Sequence, residues 1–294
     1  MNDRRTVVRP VAHASWWHCI VLMLVSLCLC GFTGLFRKDH VHIRVMTYNI
    51  RVGVGGGTLR LQSEQGLKKV AHIVRKHKPD ILLVQELDIN APRTQYVDQG
   101  QWLMHHLGFP HAAFGSAIRE GTGSYGVAIF SRFPDNIAAT KYELFKPDYP
   151  NRPDYFSEQR VLLKAAVNIK GTTVTFLCTH LGLTSDQRTQ QVQNILRHVA
   201  DVETPIILGG DFNSESISRE MRPFKTRFYD VFDALRMDIK QRLTYPAGLT
   251  PGQAIDTIYA TPDVKVISAK VILDKTLASD HNPVIAVLRI PIGQ

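Results

Sequence analysis

The sequence has few cysteines and lacks several features that would place it in a specialised class. Its 294 residues include four cysteines. Cys19, Cys28 and Cys30 lie in one apolar N-terminal run, so Cys178 has no intradomain partner and no disulfide is expected. No internal repeat, low-complexity tract or Pro/Gly/Ser-rich linker divides the chain. We therefore expect one large globular domain after the N-terminal run.

A dense block of Lys and Arg is also missing, which argues against a dedicated nucleic-acid-binding arm. The chain nevertheless has 35 Lys and Arg against 26 Asp and Glu, a net charge of +9. A surplus of this sign favours anionic partners such as phosphate esters, nucleic acid or acidic lipid headgroups. The charge alone does not choose among these partners.

The longest apolar run is at the N-terminus. Residues 16–36, WWHCIVLMLVSLCLCGFTGLF, contain a single ionisable side chain, His18. At about 1.5 Å per residue this run would span about 31 Å as a helix, close to the thickness of a bilayer core. Arginines precede the run, and its end fits a signal-peptidase site poorly. We predict a single-pass hydrophobic helix, kept as a membrane anchor within residues 1–40, and a globular domain at 41–294.

From residue 41 onward, apolar patterns predict many strands and two clear helices. Two consecutive strands are expected to form a hairpin that turns at Gly171, and residues 132–160 are expected to be rich in loops. The pattern predicts an α/β fold with two packed sheets and helices outside them. The predicted helices are 62–78 and 184–200, and the predicted strands are 41–50, 80–86, 125–131, 160–170, 172–180, 205–211, 254–260, 264–272 and 282–290.

Apolar strands in this sequence repeatedly end at polar residues. Each of these residues alone has an ordinary explanation as a cap, a turn residue or the solvated end of a strand. Asp256 is the exception, because a carboxylate within an apolar strand must be paired or bound. The polar residues at the strand ends are Asn49, Glu86, His180, Asp211, Asn213, Asp256, Asp280 and His281.

Taken together, these residues indicate a reaction site, because two packed sheets present their strand ends at one common edge. Crowded carboxylates need a cation to offset their repulsion, and hard oxygen ligands suit Mg²⁺ or Mn²⁺ better than Zn²⁺. The histidines and asparagines then supply hydrogen-bond donors for a phosphoryl group. This composition is typical of a metal-assisted phosphoester hydrolase.

The segment PIILGGDFNS (205–214) shows how a strand could deliver such residues. Extended residues two apart project to the same side, so Asp211 and Asn213 are expected to face one site. Phe212 would turn back into the core. Gly209 and Gly210 would allow the backbone a close approach without obstruction by side chains.

These residues, in this order, resemble the endonuclease/exonuclease/phosphatase superfamily, which has the pancreatic-DNase-like fold. The resemblance rests on the motifs MTYNIR, PDILLVQE, YGVAIFSR, THLG, GGDFN, IDTIY and SDHNPV, and covers about residues 42–290. The chain is most similar to bacterial membrane-associated members and to the hydrolase-like domain of the calcofluor-white-hypersensitive protein family. The resemblance implies a four-layer α/β/β/α sandwich of two packed mixed sheets.

The resemblance also implies a metal centre and an attacking water. Glu86 would be the principal ligand of Mg²⁺ or Mn²⁺, with Asn49 near the metal and the phosphate. Asp280 would lie beside the metal. Asp211 would activate or orient the water that attacks phosphorus in line.

Further residues would hold the phosphate, again as the resemblance implies. His281 would face the scissile phosphate, and Asp256 would fix the tautomer of His281. His180 would donate to a phosphate oxygen. Asn213 would contact the phosphate and help to position the nucleophile, and Tyr125 would line the phosphate pocket.

Three functions fit these features. The favoured one is a membrane-anchored phosphodiesterase or phosphatase that acts on a lipid headgroup, a lipid anchor or another small phosphoester, with its catalytic domain exported. The alternative is an endonuclease or exonuclease that acts on DNA or RNA with the same centre; the lack of base-stacking aromatics on an evident basic loop disfavours it. A catalytically inactive interaction module is the least favoured, because every polar position that hydrolysis needs is present.

Overall fold

The computed structural model describes residues 39–57, 62–147, 157–248 and 252–292. The described elements belong to one unit, Asp39–Gln294, with apolar cores of its own, so this unit is expected to fold without the N-terminal segment. The predicted anchor at residues 16–36 lies outside the described residues. Within the described ranges, no helix has both the length and the apolar character that crossing a membrane requires.

Six strands form the first sheet. They are β1 (Asp39–Asn49), β2 (Ile81–Ile89), β3 (His111–Glu120), β4 (Gly123–Ser131), β11 (Lys265–Val271) and β12 (Val284–Ile292). Their spatial order is β11–β12–β1–β2–β4–β3. β1 and β2 are parallel, whereas the other neighbouring pairs are antiparallel.

The second sheet also has six strands. They are β5 (Ala138–Glu143), β6 (Val161–Ile169), β7 (Thr172–His180), β8 (Ile206–Asp211), β9 (Tyr229–Asp230) and β10 (Asp256–Ala260). Their spatial order is β5–β6–β7–β8–β10–β9. Only β7 and β8 are parallel among the described pairs of this sheet.

One helix joins the strands of each parallel pair, and the three longer helices pack on the outer faces of the sheets, whereas the buried residues of the shortest belong to the central core. The α-helices are α1 (Ser63–His77), α2 (Gln99–Leu107), α3 (Ser185–His198) and α4 (Val231–Ala234). α1 connects β1 to β2 and buries Leu67, Val70 and Val74, which recur at helical spacing. α3 connects β7 to β8 and begins with a capping box formed by Thr184 and Gln187.

The inner faces of the two sheets pack against each other and form the central core. Val45 and Leu83 from the first sheet and Phe176 and Ile207 from the second are fully buried there. Burying a side chain such as Phe176 contributes about 2–3 kcal/mol. Gly209 lies where the sheets approach closely, because a Cβ atom there would come within 2.6 Å of Leu83 Cδ1. The two glycines before Asp211 therefore serve close packing, as expected.

The predicted four-layer α/β/β/α sandwich is confirmed, as is the β6–β7 hairpin that turns at Lys170 and Gly171. The sequence patterns did not reveal α2, β3 or β5. β5 lies within the segment that was expected to be all loop, and residues 148–156 of that segment lie outside the described residues. β5 is an exposed edge strand, so it lacks the apolar alternation by which a half-buried strand is recognised.

Candidate active site

All eight predicted strand-end residues meet at one edge of the sandwich. The carboxyl ends of β1, β2, β7 and β8 lie at this edge, because the strands of each parallel pair point the same way. β10, which is antiparallel to β8, begins here. The loop before β12 adds Asp280 and His281. The two sheets thus contribute to a single polar cluster.

Glu86 reaches this cluster through a β-bulge. The register between β2 and β4 shifts between Val84 and Leu87, and Glu86 has a left-handed φ of 55°. Such a backbone costs about 1–3 kcal/mol and interrupts the alternation of the strand. Glu86 Oε1 accepts a hydrogen bond of 2.9 Å from Asn49 Nδ2. Burial raises the pKa of Glu86, and the bond from Asn49 offsets part of that rise.

Asp211 and Asn213 come together by a turn and not by strand alternation, which corrects the predicted geometry. β8 ends at Asp211, and Asn213 beyond it has a left-handed φ of 49°. The backbone N–H of Asn213 donates to Asp211 Oδ1 at 2.9 Å, which closes an Asx turn. The predicted burial of Phe212 in the apolar core is confirmed.

Asp211 Oδ2 is the centre of the polar cluster. It accepts a 2.9 Å hydrogen bond from Asn49 Nδ2, and it lies 3.4 Å from His180 Nε2 and 3.6 Å from His281 Nε2. Asp256 is its partner across the β8–β10 pair. Burial, with the negative charge of Asp256, raises the pKa of Asp211 to about 7 although His281 opposes the rise. A carboxylate with this pKa can accept a proton near neutral pH.

His281 is held by Asp256, whose Oδ2 lies 2.8 Å from His281 Nδ1. Burial lowers the pKa of His281, but the charges of Asp256 and Asp211 outweigh burial and raise it to about 10. His281 is therefore an imidazolium at neutral pH. The other oxygen of Asp256, Oδ1, is buried and has no hydrogen-bond partner among the described residues.

His180 differs from His281 in charge. Burial lowers the pKa of His180 well below its usual value, and the positive charges of Arg160 and His281 lower it further. Its Nε2 lies 3.1 Å from Asn213 Nδ2, which also donates to the carbonyl of Leu181. The cluster thus holds one neutral and one charged histidine around the same carboxylate.

Asn49 bridges the two sheets. Its Nδ2 donates to both Glu86 and Asp211, whereas its Oδ1 accepts from the backbone N–H of Arg51. The amide nitrogen therefore faces the carboxylates. Asp280 contacts the segment that follows β1, where its Oδ2 forms an ion pair of 3.2 Å with Arg51 Nε.

A cavity of about 540 Å³ opens onto the cluster. Tyr125 lies in its wall, 6% exposed, with the guanidinium of Arg93 4.9 Å from the ring centroid. Tyr245 lies in the wall as well, and its ring centroid is 4.7 Å from that of His281. The cluster residues that line the cavity are Glu86, His180, Asp211, Asn213, Asp280 and His281.

Sequence reasoning missed three arginines that line the same cavity: Arg51, Arg93 and Arg160. Arg160 is 5% exposed and pairs with Glu158 at 2.8 Å. Its Nε is buried without a hydrogen-bond partner among the described residues. Arg93 is held by the carboxylate of Asp88, through two bonds of 2.9 Å.

The hairpin contains a signal that could have revealed Arg160. Val161, the first residue of β6, lies beside His180, the last residue of its antiparallel partner β7. A polar residue just before such a strand therefore lies at the same edge as the site. Arg51 and Arg93 lie in short 3₁₀ helices after β1 and β2, where no strand pattern predicts their position.

The cluster suits a divalent cation. One ligand atom from each of Glu86, His180 and Asp211 lies within 4.8 Å of the others, and the same holds for Asp211, Asp256 and His281. Buried carboxylates at this separation repel each other, and the unpartnered Asp256 Oδ1 adds an unsatisfied oxygen. Carboxylate oxygens dominate the donor set, as hard divalent cations prefer.

Comparison with known proteins identifies the family. Residues 46–281 match the model of the Endonuclease/Exonuclease/phosphatase family. The chain belongs to this family. The matched range includes every strand-end residue from Asn49 to His281, and it confirms the resemblance to the superfamily. The predicted similarity to membrane-associated members stays a prediction.

Solved structures of this family share the fold. An endonuclease/exonuclease/phosphatase from Beutenbergia cavernae is 23% identical, with a TM-score of 0.68 over 85% of this chain and 72% of that chain. A mannosyl-6-phosphatase from Bacteroides thetaiotaomicron is 20% identical, with a TM-score of 0.62 over 84% and 99%. The human Nocturnin catalytic domain, solved with bound sulfate, is 19% identical, with a TM-score of 0.63 over 86% and 97%.

Family membership and the geometry of the cluster support the same class of chemistry. Members of the endonuclease/exonuclease/phosphatase family act on phosphoesters with the help of divalent metals. The cluster has the carboxylates, the imidazolium and the cavity that such a reaction needs. The chain is accordingly a phosphoester hydrolase or nuclease of this family.

Proposed function

We propose that the chain is a Mg²⁺-dependent phosphoester hydrolase that is anchored in a membrane and acts on a lipid headgroup or lipid-anchor phosphoester. The observation that carries the catalytic part is the convergence of Glu86, Asp211 and His281, from different parts of the fold, on one cavity. Mn²⁺ would serve in place of Mg²⁺, because both prefer oxygen ligands. Glu86 would hold the metal, with Asp280 as a further carboxylate in the same cavity wall.

Asp211 is the residue best placed to take a proton from the attacking water. Its pKa of about 7 suits proton transfer near neutral pH, and Asn49 and the backbone of Asn213 hold its two oxygens in place. The water would attack phosphorus opposite the ester oxygen that leaves. A bound metal would supply stabilisation of the charge that develops on the phosphoryl oxygens.

The phosphate would be held by the positive charges that line the same cavity. Asp256 fixes Nδ1 of His281, so the charged ring presents Nε2 to the cluster. Arg160 adds a buried positive charge at the same edge. Preorganised charges of this kind stabilise a transition state more than a substrate. His180 and Asn213 would supply hydrogen bonds to the remaining phosphate oxygens.

The membrane part of the proposal is supported by the apolar run at residues 16–36, and the lipid-headgroup part is supported by the size of the cavity. A volume of about 540 Å³ suits one small phosphoester headgroup. We place the catalytic domain on the exported side of the membrane. A reporter fused after Gln294 tests this placement, and reporter activity confined to the cytosol would reverse it.

A substrate screen tests the catalytic part. Residues 39–294 would be assayed with Mg²⁺ against a lysophospholipid, a phosphoinositide and plasmid DNA. We expect lipid hydrolysis that a chelator abolishes and that Glu86→Gln reduces most strongly at low Mg²⁺ concentration. Rapid DNA cleavage without lipid turnover would favour the nuclease alternative. Failure to hydrolyse any phosphoester, with metal bound, would favour an interaction module.

A further inference from the structure

A second cavity, of about 660 Å³, lies behind the loop that contains His281. The two cavities share a thin wall. Tyr245 and His281 line the active-site cavity, whereas the next residues, Pro246 and Asn282, line the second. The backbone N–H of Asn282 donates to the carbonyl of Thr244 at 2.8 Å, which joins the two segments of this wall.

The second cavity, called the lysine groove below, has aliphatic walls and a cationic rim. No aromatic residue and no arginine lines it among the described residues. Lys240 and Lys275 are exposed to solvent. The residues that define the groove are Lys240, Leu243, Val271, Leu273, Lys275 and Leu277.

Leu273 is largely exposed to solvent. Its side chain is 75% exposed and lies just beyond β11, the edge strand of the first sheet. Ile267 on the same strand is 44% exposed, at a β-bulge between Val266 and Ser268. Lysines and bulges on an edge strand are ordinary protection against pairing with another chain, but exposed aliphatic residues work against that protection.

The rim of the lysine groove carries exposed lysines, whereas its acidic wall residue is buried. Lys69 Nζ donates to the carbonyl of Thr276 at 3.1 Å, so a third lysine lies beside Lys275. Asp274, the acidic residue of the groove wall, is buried. Its carboxylate accepts bonds within its own loop, from the backbone and hydroxyl of Thr276 and from the backbone of Ala278. Asp238, which is exposed and accepts from the backbone N–H of Lys240, is the acidic neighbour of this rim, and the three lysines outnumber it.

We propose that the lysine groove docks the catalytic domain on an anionic phospholipid bilayer. Aliphatic tips that enter the headgroup boundary, flanked by lysines whose stems extend along it, are the arrangement that binds such a surface. A single-stranded nucleic acid would instead need stacking aromatics, which are absent from the described lining. Docking is separate from catalysis, and it would place the active-site cavity beside lipid headgroups.

Vesicle co-sedimentation of residues 39–294 tests the proposal without the N-terminal segment. We expect binding to phosphatidylcholine vesicles that contain phosphatidylserine, no binding to phosphatidylcholine alone, and loss of binding at high salt. Leu273→Ser and the double variant Lys240→Glu, Lys275→Glu should each weaken binding by about tenfold or more. These positions are exposed, so thermal unfolding should stay at the parent temperature.

Control positions are available in the segment between β8 and β9. Ile217→Ser changes an aliphatic residue that is 58% exposed, and Lys225→Glu reverses an exposed lysine in the 3₁₀ helix that follows. Both controls should bind vesicles like the parent. The proposal is overturned if the parent does not bind anionic vesicles, if controls and groove variants lose binding equally, or if the groove variants lose DNA binding and not vesicle binding. Because binding is measured without substrate turnover, none of these outcomes bears on the hydrolase assignment.

Discussion

The two halves of the active site are built on the same plan. β1–α1–β2 and β7–α3–β8 are each a parallel pair joined by a helix, and both end at the same edge. The first half contributes Asn49 and Glu86, and the second contributes His180 and Asp211. A carboxylate and a hydrogen-bonding side chain thus arrive from each sheet.

The carboxylates of the two halves differ in backbone and in burial. In the first half, Glu86, Arg51 and Val52 all have positive φ, and Glu86 lies in a bulge. In the second, Asp211 and Asp256 occupy regular strand positions and are 1% exposed. This difference teaches that the two buried carboxylates Asp211 and Asp256 are held by strand pairing, whereas the proposed metal ligand Glu86 is positioned by a bent backbone.

The largest effect should follow from changing Asp211, the centre of the polar cluster. Asp211→Asn removes the proton acceptor while it keeps the size of the side chain, so kcat should fall by about 10²–10⁴-fold. Steady-state kinetics on the preferred phosphoester measure this loss. An activity within tenfold of the parent would remove Asp211 from proton transfer.

The same variant should be more stable than the parent at neutral pH. Burial raises the pKa of Asp211 from 3.8 to about 7, so the ionised carboxylate destabilises the folded state. This penalty is absent below about pH 4 and grows as the pH rises to about 7. Asp211→Asn should therefore gain about 1–3 kcal/mol of unfolding free energy at about pH 8 and almost none at about pH 4. Equal gains at both values would contradict the pKa.

The second largest effect should come from the carboxylate that holds His281. The charge of Asp256 helps to raise the pKa of His281 from 6.5 to about 10, so His281 stays charged below that value. Asp256→Asn removes this charge and lowers the pKa of His281. Activity should therefore begin to fall at a lower pH than in the parent, and at alkaline pH it should be about 10²-fold below that of the parent. A profile of kcat/KM against pH, with NMR titration of His281, measures the shift. An unchanged alkaline limb would show that the charge of His281 is not needed.

These two predictions concern residues that the sequence already indicated, because parallel strand pairs fix where their ends lie. Asn49, Glu86, His180 and Asp211 each follow an apolar run, and the common edge follows from two packed sheets. Strand pattern therefore predicted the fold and the membership of the cluster. It could not predict the bulge at Glu86 or the turn at Asn213, because both depend on single backbone angles.

The electrostatics of the cluster also lay beyond the sequence. Opposite pKa shifts of His180 and His281 arise from which charges face each ring, and that depends on atomic distances. Arg160 was missed because a polar residue before a strand reads as its solvated start, although β6 begins beside the end of β7. The position of Arg160 follows from pairing the two strands of the predicted hairpin, and not from the residues next to Arg160 in the chain.

Changing Glu86, in the first half of the site, should have a smaller and different effect. Glu86→Gln keeps the bulge and the bond from Asn49 but removes a charge. The Mg²⁺ concentration needed for half-maximal activity should therefore rise by about 10–100-fold, and kcat should fall less than in Asp211→Asn. Activity titrated with Mg²⁺ gives the apparent affinity, and Glu120→Gln, a carboxylate paired with Arg93, is a matched control. Parent-like metal dependence would exclude Glu86 as a ligand.

The smallest effect is expected at Cys178, where β7 of the second half contacts β2 of the first. Cys178 on β7 accepts a bond of 3.2 Å from Gln85 Nε2 and donates to the carbonyl of Val84, both on β2. Burial raises the pKa of its thiol to about 12, so a thiol reagent should not modify it in the folded protein. Cys178→Ser keeps both bonds and should leave kcat within about twofold, because the reaction does not use the thiol.

Residues 39–294 contain no other cysteine, so the rate of thiol modification reports directly on this contact. Modification should be slow in native buffer and fast in denaturant, and the native rate should follow the opening of the two sheets. Asp211→Asn should slow it further at neutral pH, because relief of the buried charge stabilises the closed sandwich. The native protein could instead react fast, at a rate that Asp211→Asn does not change. The sheets would then separate at Cys178 independently of the charged cluster, and the two halves would not be one cooperative unit.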